Sequence, residues 1–587
     1  MLTTSIMRIK SILIIVTVIG LITTFIACQK DFLQIPAVSG STTIDSTFGT
    51  TEKALLAVRT AYKGCLSQGL PYRNDPWNAM IQDNMTGSLF YGHAWGIARN
   101  IVISGLNSTS TNEDMEGFNS NYNFIRQANL IRENINKVRD MSDADKAIIK
   151  AEMKALIAYR YCQMFIMYGG VPIVSHSLTT TDDLAIPRSS AKAVLDSVVT
   201  WCDEALPVLP SEWPGNWEGR MTKAAVLSVK AKIQLFAARP LFNTASPYLS
   251  LGERNDLICL GNVDPDRWKT AALTAEAVIR EAETNAAAYI IDTNNPLDDY
   301  GTATSTPSNP EVLLAFKFVN TSGDNGGWNT LPMTAFYYPR INGEHSSAAG
   351  FTLLPSQLEN YYKQDGTDQT WPALDAITPF ADYLKRMDEM EPRFKADFMP
   401  YERSAWNNPG DANWSNTSIG LGYSNGAARS VKFYYKAGTR RWFEFPIFRL
   451  AFAYLAAAEA YNEMGQATDA LLKLNKIHER AGLPAITETD RDKLRLLIQR
   501  EWAIEFHKEN FRLHEMKHWK LPNIGNGLIG GPVRGFGYNN NTTLKTTGNT
   551  NYSIRIIYQG FWSPKQYLNP FPQSEINKGY LIQNPGY

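Results

Sequence analysis

Two histidines one helical turn apart, with a glutamate beside the first, can hold a zinc ion and polarise an attacking water, and "HEMKH" at residues 514–518 has that form. His507 is spaced seven and eleven residues from this pair, close to whole turns on the same helix face. Three features oppose a metal centre. Leu521 stands where the longer HExxHxxGxxH form needs Gly, and Pro522 ends any helix soon after His518. Lys517 would also set a cation beside the metal. The pattern is therefore expected to be a helix face on which His514 and His518 make polar contacts, with no metal and no cofactor. No GxxxxGK[ST], GxSxG or CxxC occurs, so catalysis would have to come from this segment or from carboxylates that carry no sequence signature. A surface-anchored hydrolase is the alternative reading that this leaves open.

A second chemistry is reversible stacking. A sugar ring offers a flat C–H face and a rim of hydroxyls, so it is recognised by aromatic platforms flanked by amide, carboxylate and guanidinium groups. "LPYRNDPWNAMIQDNMTGSLFYGHAWG", residues 70–96, interleaves Tyr72, Trp77, Tyr91 and Trp95 with Arg73, Asn78, Asp83 and Asn84, and shows no helical period. "DNGGWNT" carries Trp328 behind a Gly pair that permits a projecting loop, and "FYYPR" follows. The candidate ligand-binding residues are thus Arg73, Trp77, Asp83, Tyr91, Trp95 and Trp328. Trp371, Trp406 and Trp414 lie in similarly loose sequence and could replace some of them. No catalytic residue is assigned.

Such loops need a frame. Apolar residues recur at helical spacing over 51–66, 117–139, 143–168, 189–206, 221–238, 267–284, 446–464, 467–481 and 490–518. Between 285 and 445 the pattern gives way to Gly, Asn, Thr, Ser and aromatics, which predicts irregular chain with short strands. In 454–477, Tyr454, Ala457, Ala458, Tyr461, Gly465, Ala470, Leu474 and Ile477 fall at tetratricopeptide offsets, small residues on one face and large on the other. Weaker copies appear in "AEMKALIAYRYCQMFIMYGG" and "TKAAVLSVKAKIQLFAAR". The expected fold is mainly α, a scaffold of tetratricopeptide-like hairpins with a large loop-rich insertion, too irregular in spacing for a continuous superhelix. Lys plus Arg equals Asp plus Glu at 57 each, so no net field draws in nucleic acid. Cys65, Cys162, Cys202 and Cys259 are too scattered for a zinc ribbon or disulfide framework, and Cys162 and Cys202 are expected as buried thiols in helices.

At the amino end, Arg8 and Lys10 precede the apolar run 11–27, and Ala27–Cys28 closes it. This order resembles the lipobox of bacterial lipoproteins, with Phe25 where Leu is usual, and implies cleavage after residue 27 and lipidation of Cys28. Together with "CQKDFLQIP", four further segments resemble the SusD/RagB family: "YGGVPIV" at 168–174, "FPIFRLAFAYLAAAEAYNEMGQ" at 445–466, "LNKIHERAGLP" at 474–484 and the closing "NPFPQSEINKGYLIQNPGY". Where that family commonly shows an "FEGHRFFDLRRW"-like segment, this chain keeps Glu509, Arg512, Glu515 and Trp519, with Asn510 in place of Gly and His518 in place of Arg. The HEMKH residues thus fall on framework positions.

The resemblance implies an outer-membrane lipoprotein, lipid-anchored and facing the exterior. It would capture an oligomeric nutrient, a glycan first and a peptide second, and deliver it to a SusC-like, TonB-dependent receptor without cleaving it. The expected organisation is a signal peptide (1–27), a lipidated tether (28–50), an N-terminal helical region (51–284), a ligand-binding insertion (285–445) and a C-terminal helical region (446–587), all in one body.

Overall fold

The computed structural model describes residues 43–67, 81–91, 97–109, 117–215, 218–317, 351–400, 403, 425–433, 435–436, 444–538 and 550–587. Its frame is a row of helices. These are α1 (Thr51–Ser67), α2 (Phe118–Asn134), α3 (Asp143–Tyr168), α4 (Ala191–Ala205), α5 (Lys223–Ala238), α6 (Asp266–Asn285), α7 (Leu450–Glu463) and α8 (Ala467–His478), each packed on the next. Helix α9 (Arg491–Glu505) returns against α7, and α10 (Arg512–Trp519) follows it. The packing is unbroken where the sequence is not. Helices α6 and α7 are direct neighbours, although the whole insertion lies between them in the chain.

Local chemistry sets these elements. Ser142 caps α3 by accepting the Asp145 N–H at 3.1 Å, and Asp143 and Asp145 place negative charge at the positive end of the helix dipole. The helix stops at Gly169, with φ of +78°, and Gly170 leaves room for the Ser189 carbonyl, which would sit 2.1 Å from an added Cβ. That is why "YGG" is written there. In the α7–α8 hairpin Ala457, Ala458, Ala470, Leu474 and Ile477 are fully buried, and Gly465 turns the chain at φ of +75°. The helices approach through their alanines, as the tetratricopeptide offsets require. Cys65, Cys162, Cys202 and Cys259 are buried, with Cys162 and Cys202 inside α3 and α4.

Among the described residues, three small sheets are added to this frame, in strand orders β1–β3–β6–β5, β2–β7 and β4–β9–β8. The strands are β1 (Leu89–Tyr91), β2 (Val312–Lys317), β3 (Phe351–Leu353), β4 (Thr378–Pro379), β5 (Phe398–Pro400), β6 (Ala428–Ser430), β7 (Glu444–Arg449), β8 (Gly531–Tyr538) and β9 (Asn551–Gly560).

Three expectations need correction. The periodic stretch 446–464 begins as strand β7 and turns helical only at Leu450. The C-terminal region is not all helical, because β8 and β9 form a long antiparallel hairpin. The stretch 490–518 is two helices, broken at 506–511 where Lys508 and Asn510 adopt positive φ of 62° and 61°. Positive φ explains why Asn occupies a position that the family fills with Gly, since Asn tolerates the left-handed region better than other side chains do. We expect Asn510→Gly to leave the denaturation midpoint nearly unchanged. Asn510→Val should lower stability by about 1–3 kcal/mol in the same measurement.

Candidate ligand-binding site

Most of the residues chosen for binding lie beyond what the structure describes: Arg73, Trp77, Trp95 and Trp328, and Cys28 at the amino end, fall outside the described residues. The structure instead describes the ground from which their segments depart. Tyr91 is the last residue of β1 and pairs with Phe351, the first residue of β3. The chain carrying Trp95 therefore leaves, and the chain carrying Trp328 returns, at one end of two adjacent strands. The same register puts Ser430 and Phe398 at that end, through the Thr352↔Arg429 and Phe398↔Ser430 pairs.

The opposite end of this strand pair, beyond Leu89 and Leu353, is firmly held. Leu354 N–H donates to the Ser88 carbonyl at 3.0 Å, Ser88 Oγ to Gln357 Oε1 at 3.4 Å, and Gln357 Nε2 to the Ala503 carbonyl of α9 at 2.8 Å. The short helix Ile81–Met85 and the helix Ile97–Ser104 rest on α10, whose Leu513 and Met516 cluster with Met85, Ile101, Val102 and Ile529. The HEMKH helix thus carries the root of the first aromatic loop. The sequence of 70–96 has no helical period, so the short helix Ile81–Met85 is a departure from the irregular chain expected there.

Asp83, on that short helix, is 3 % exposed. Burial pushes its carboxyl up to about 6 against the opposing pull of Lys508, which is itself buried and lowered to about 7 by desolvation. Its carboxylate belongs to the charged interior and not to an exposed face, which corrects its selection as a ligand contact. Asn84 is buried beside it. Trp371, among the alternatives, has its ring edge-on to Phe536 with centroids 6.2 Å apart and packs on the core.

Beneath the loop roots lies a fully buried ion network that no motif in the sequence announces. Arg449, at the end of β7, bonds Glu509 (2.8 and 3.0 Å) and Glu505 (2.9 Å). Arg480 reaches Glu505 at 2.6 Å and Glu311 at 2.8 Å, and Arg393 binds Glu391 at 2.8 Å and also Glu501. Lys432 bonds Glu509 at 2.8 Å and donates to Tyr300 Oη at 2.9 Å, and that hydroxyl donates to Asp397 at 2.9 Å. Burial alone would raise Glu501, but Arg393 and His478 outweigh it and hold the carboxyl at about 2. Glu505, between three guanidinium groups, is held lower still. The network joins residues of the insertion (Glu311, Glu391, Arg393, Lys432) to residues after it (Arg449, Arg480, Glu501, Glu505, Glu509). It therefore ties the loop-bearing layer to α9. The HERAG and HKEN segments were legible as charged stretches, but nothing in their spacing shows that they share one interior.

The geometry of HEMKH argues against zinc on its own terms. His518 Nε2–H donates to the Ile166 carbonyl at 3.0 Å, and its ring lies edge-on to Phe236 with centroids 4.7 Å apart. Burial lowers His514 and His518 well below the usual imidazole range, Arg239 and Lys517 adding to the effect on His518. Glu515 is buried in the interior and bonded to Arg512 at 2.7 Å. His507 does not share the face of the other two, because it lies in the connection between α9 and α10, 5.0 Å from the Phe398 ring. Trp519 and Glu459 complete the framework: the indole N–H donates to Glu459 Oε1 at 3.0 Å, and Glu459 holds Arg239 at 2.7 and 2.8 Å.

Comparison with known proteins agrees with this architecture. A family model described as the SusD family matches residues 310–587, and a second, described as "Starch-binding associating with outer membrane", matches residues 62–235. A SusD-like protein of Formosa agariphila is 22 % identical over 506 residues, covering 83 % of this chain and 86 % of that one. Among solved structures, a SusD-like protein from Bacteroides fragilis superimposes with a TM-score of 0.74 at 21 % identity, over 92 % of this chain and 98 % of that one. A laminarin-binding SusD-like protein gives a TM-score of 0.56 at 17 % identity, over 92 % and 100 %.

Proposed function

The chain belongs to the SusD/RagB family, and from that membership we propose that it captures an oligosaccharide or polysaccharide at the cell surface and hands it to a TonB-dependent outer-membrane receptor, without breaking a bond in it. The observation that carries the reading is the Tyr91↔Phe351 pairing, which brings the chain that leads to Trp95 and the chain that returns from Trp328 to one sheet end. In this reading Trp77, Trp95 and Trp328 stack on sugar faces, and Arg73 and Tyr91 bond hydroxyls. Asp83 supports the loop from within. The laminarin-binding relative supports a glycan over a peptide.

The N-terminal lipid belongs to the same proposal. Cys28 would carry it and hold the protein at the outer membrane, in keeping with the membrane association in the matched family's description. Replacing Cys28 with Ala is expected to give unprocessed precursor or protein released from the membrane fraction. Normal processing with full membrane retention would remove the anchor from the account.

The function itself is tested by incubating purified protein with laminarin, starch and a peptide mixture, measuring retention by affinity electrophoresis and products by chromatography. Retardation by a polysaccharide with no new products is the expected result. Steady release of fragments would replace capture with hydrolysis, and retention of peptides alone would change the ligand class.

A further inference from the structure

Away from the loops, a cleft of about 340 Å³ opens between the α4–α5 connection and strand β2, a size that suits a small ligand. Trp213 stands on its wall with its ring fixed twice over. The indole N–H donates to the Met221 carbonyl at 2.9 Å, and Arg220 lies over one ring face with its guanidinium carbon 3.9 Å from the centroid. Arg220 is in turn held by Glu152 of α3, Nε to Oε1 at 2.6 Å, and Tyr62 donates its hydroxyl to the same carboxylate at 2.5 Å. A tryptophan in a surface connection gains nothing obvious from such support if it only fills space. Arg220 covers one ring face, and Trp213 stays partly exposed where it lines the cleft.

The rest of the wall is polar and already ordered. Lys317 Nζ bonds Glu444 at 3.1 Å, Glu218 at 3.2 Å and Ser308 Oγ at 2.9 Å, so its charge is spent within the wall while carboxylate and hydroxyl oxygens still border the space. An immobilised indole beside hydroxyl and carboxylate acceptors is the arrangement that a pyranose ring recognises, its C–H face on the indole and its hydroxyls on the oxygens.

We propose that this cleft is a second saccharide-binding subsite, separate from the loop-borne one, with Trp213 as its stacking platform. It rests on the reading that the ligand is a saccharide, and on none of the loop residues. A long glycan could then be held at two points, which raises its residence time without any single tight contact.

Calorimetric titration of the full-length protein with laminarihexaose, maltohexaose and cellohexaose tests the proposal. At least one of these sugars is expected to fill two sites. Trp213→Ala should weaken one of them at least about tenfold. Ala286→Trp, which crowds the cleft from another wall and leaves the Trp213–Arg220 stack in place, should do the same, so the result does not hinge on one variant folding. The triple variant Trp77→Ala, Trp95→Ala, Trp328→Ala should keep the cleft site. Titrations that both cleft variants leave unchanged, whether they show two sites or fewer, overturn the subsite. If loop substitutions change nothing while cleft substitutions abolish binding, the loop-borne reading fails and the subsite stands.

Discussion

Changing Trp77, Trp95 and Trp328 together to Ala is expected to abolish glycan capture while leaving the thermal transition where it is. Each stacked ring contributes about 0.5–1.5 kcal/mol beyond the area that it covers, so losing three removes about 1.5–4.5 kcal/mol. That is a loss of affinity of about tenfold to about a thousandfold, before the lost contact area is added. The thermal transition should hold because the cores of the described residues close without these side chains: α1–α9 and the sheets bury Phe, Leu, Ile, Met and Ala against one another. Calorimetry with laminarin, paired with a melting curve, separates loss of binding from loss of fold. Retained affinity would move the binding surface elsewhere, with Trp406 and Trp414 as the next rings to test.

The second large effect is expected at Arg449. Its guanidinium is wholly enclosed and holds Glu505 and Glu509 at 2.8–3.0 Å, with Glu311 at 3.4 Å. Arg449→Met keeps much of the volume but strands negative charge where water cannot reach. Removing one partner of such a buried pair costs about 3–5 kcal/mol, because the remaining charge stays desolvated. The denaturant midpoint should fall accordingly. Arg534→Met provides the contrast: its pair with Glu359 at 2.6 Å is more than a third exposed on the Arg side, and exposed pairs contribute about 0–1 kcal/mol. Equal effects of the two substitutions would mean that the insertion is not tied to the frame through this network.

How far the sequence reaches follows from where its information lies. The α7–α8 hairpin could be read residue by residue because close helix packing demands Ala at 457, 458 and 470 and a turn residue at 465, and those demands repeat at fixed offsets. The break at 506–511 was hidden: apolar spacing continues through it, and only Asn510 at a Gly position hinted at positive φ. The β8–β9 hairpin was visible in principle, since "GPVRGFGY" and "NYSIRIIYQG" alternate along their length, but glycines at alternate positions weakened the apolar signal. Asp83 shows a different limit. Beside Trp and Tyr in sequence it looks like a sugar ligand, and only Lys508, more than 400 residues away in the chain, gives its charge a place inside. The buried network has the same character, because each member is an ordinary charged residue until the fold brings Glu311, Arg449 and Glu505 together. The HEMKH pattern erred in the opposite direction. Its spacing is correct for a metal, but the α10 face that it occupies is turned inward against Ile166 and Phe236.

A crystal structure of the protein with a bound glucan oligosaccharide bears most directly on the whole account. Density for an intact sugar chain beside the Tyr91–Phe351 end of the β1–β3 pair, with aromatic rings against its faces, is the result that the account requires. An oligosaccharide seated on the helical row with nothing at that sheet end, or found cleaved beside carboxylates, would contradict it.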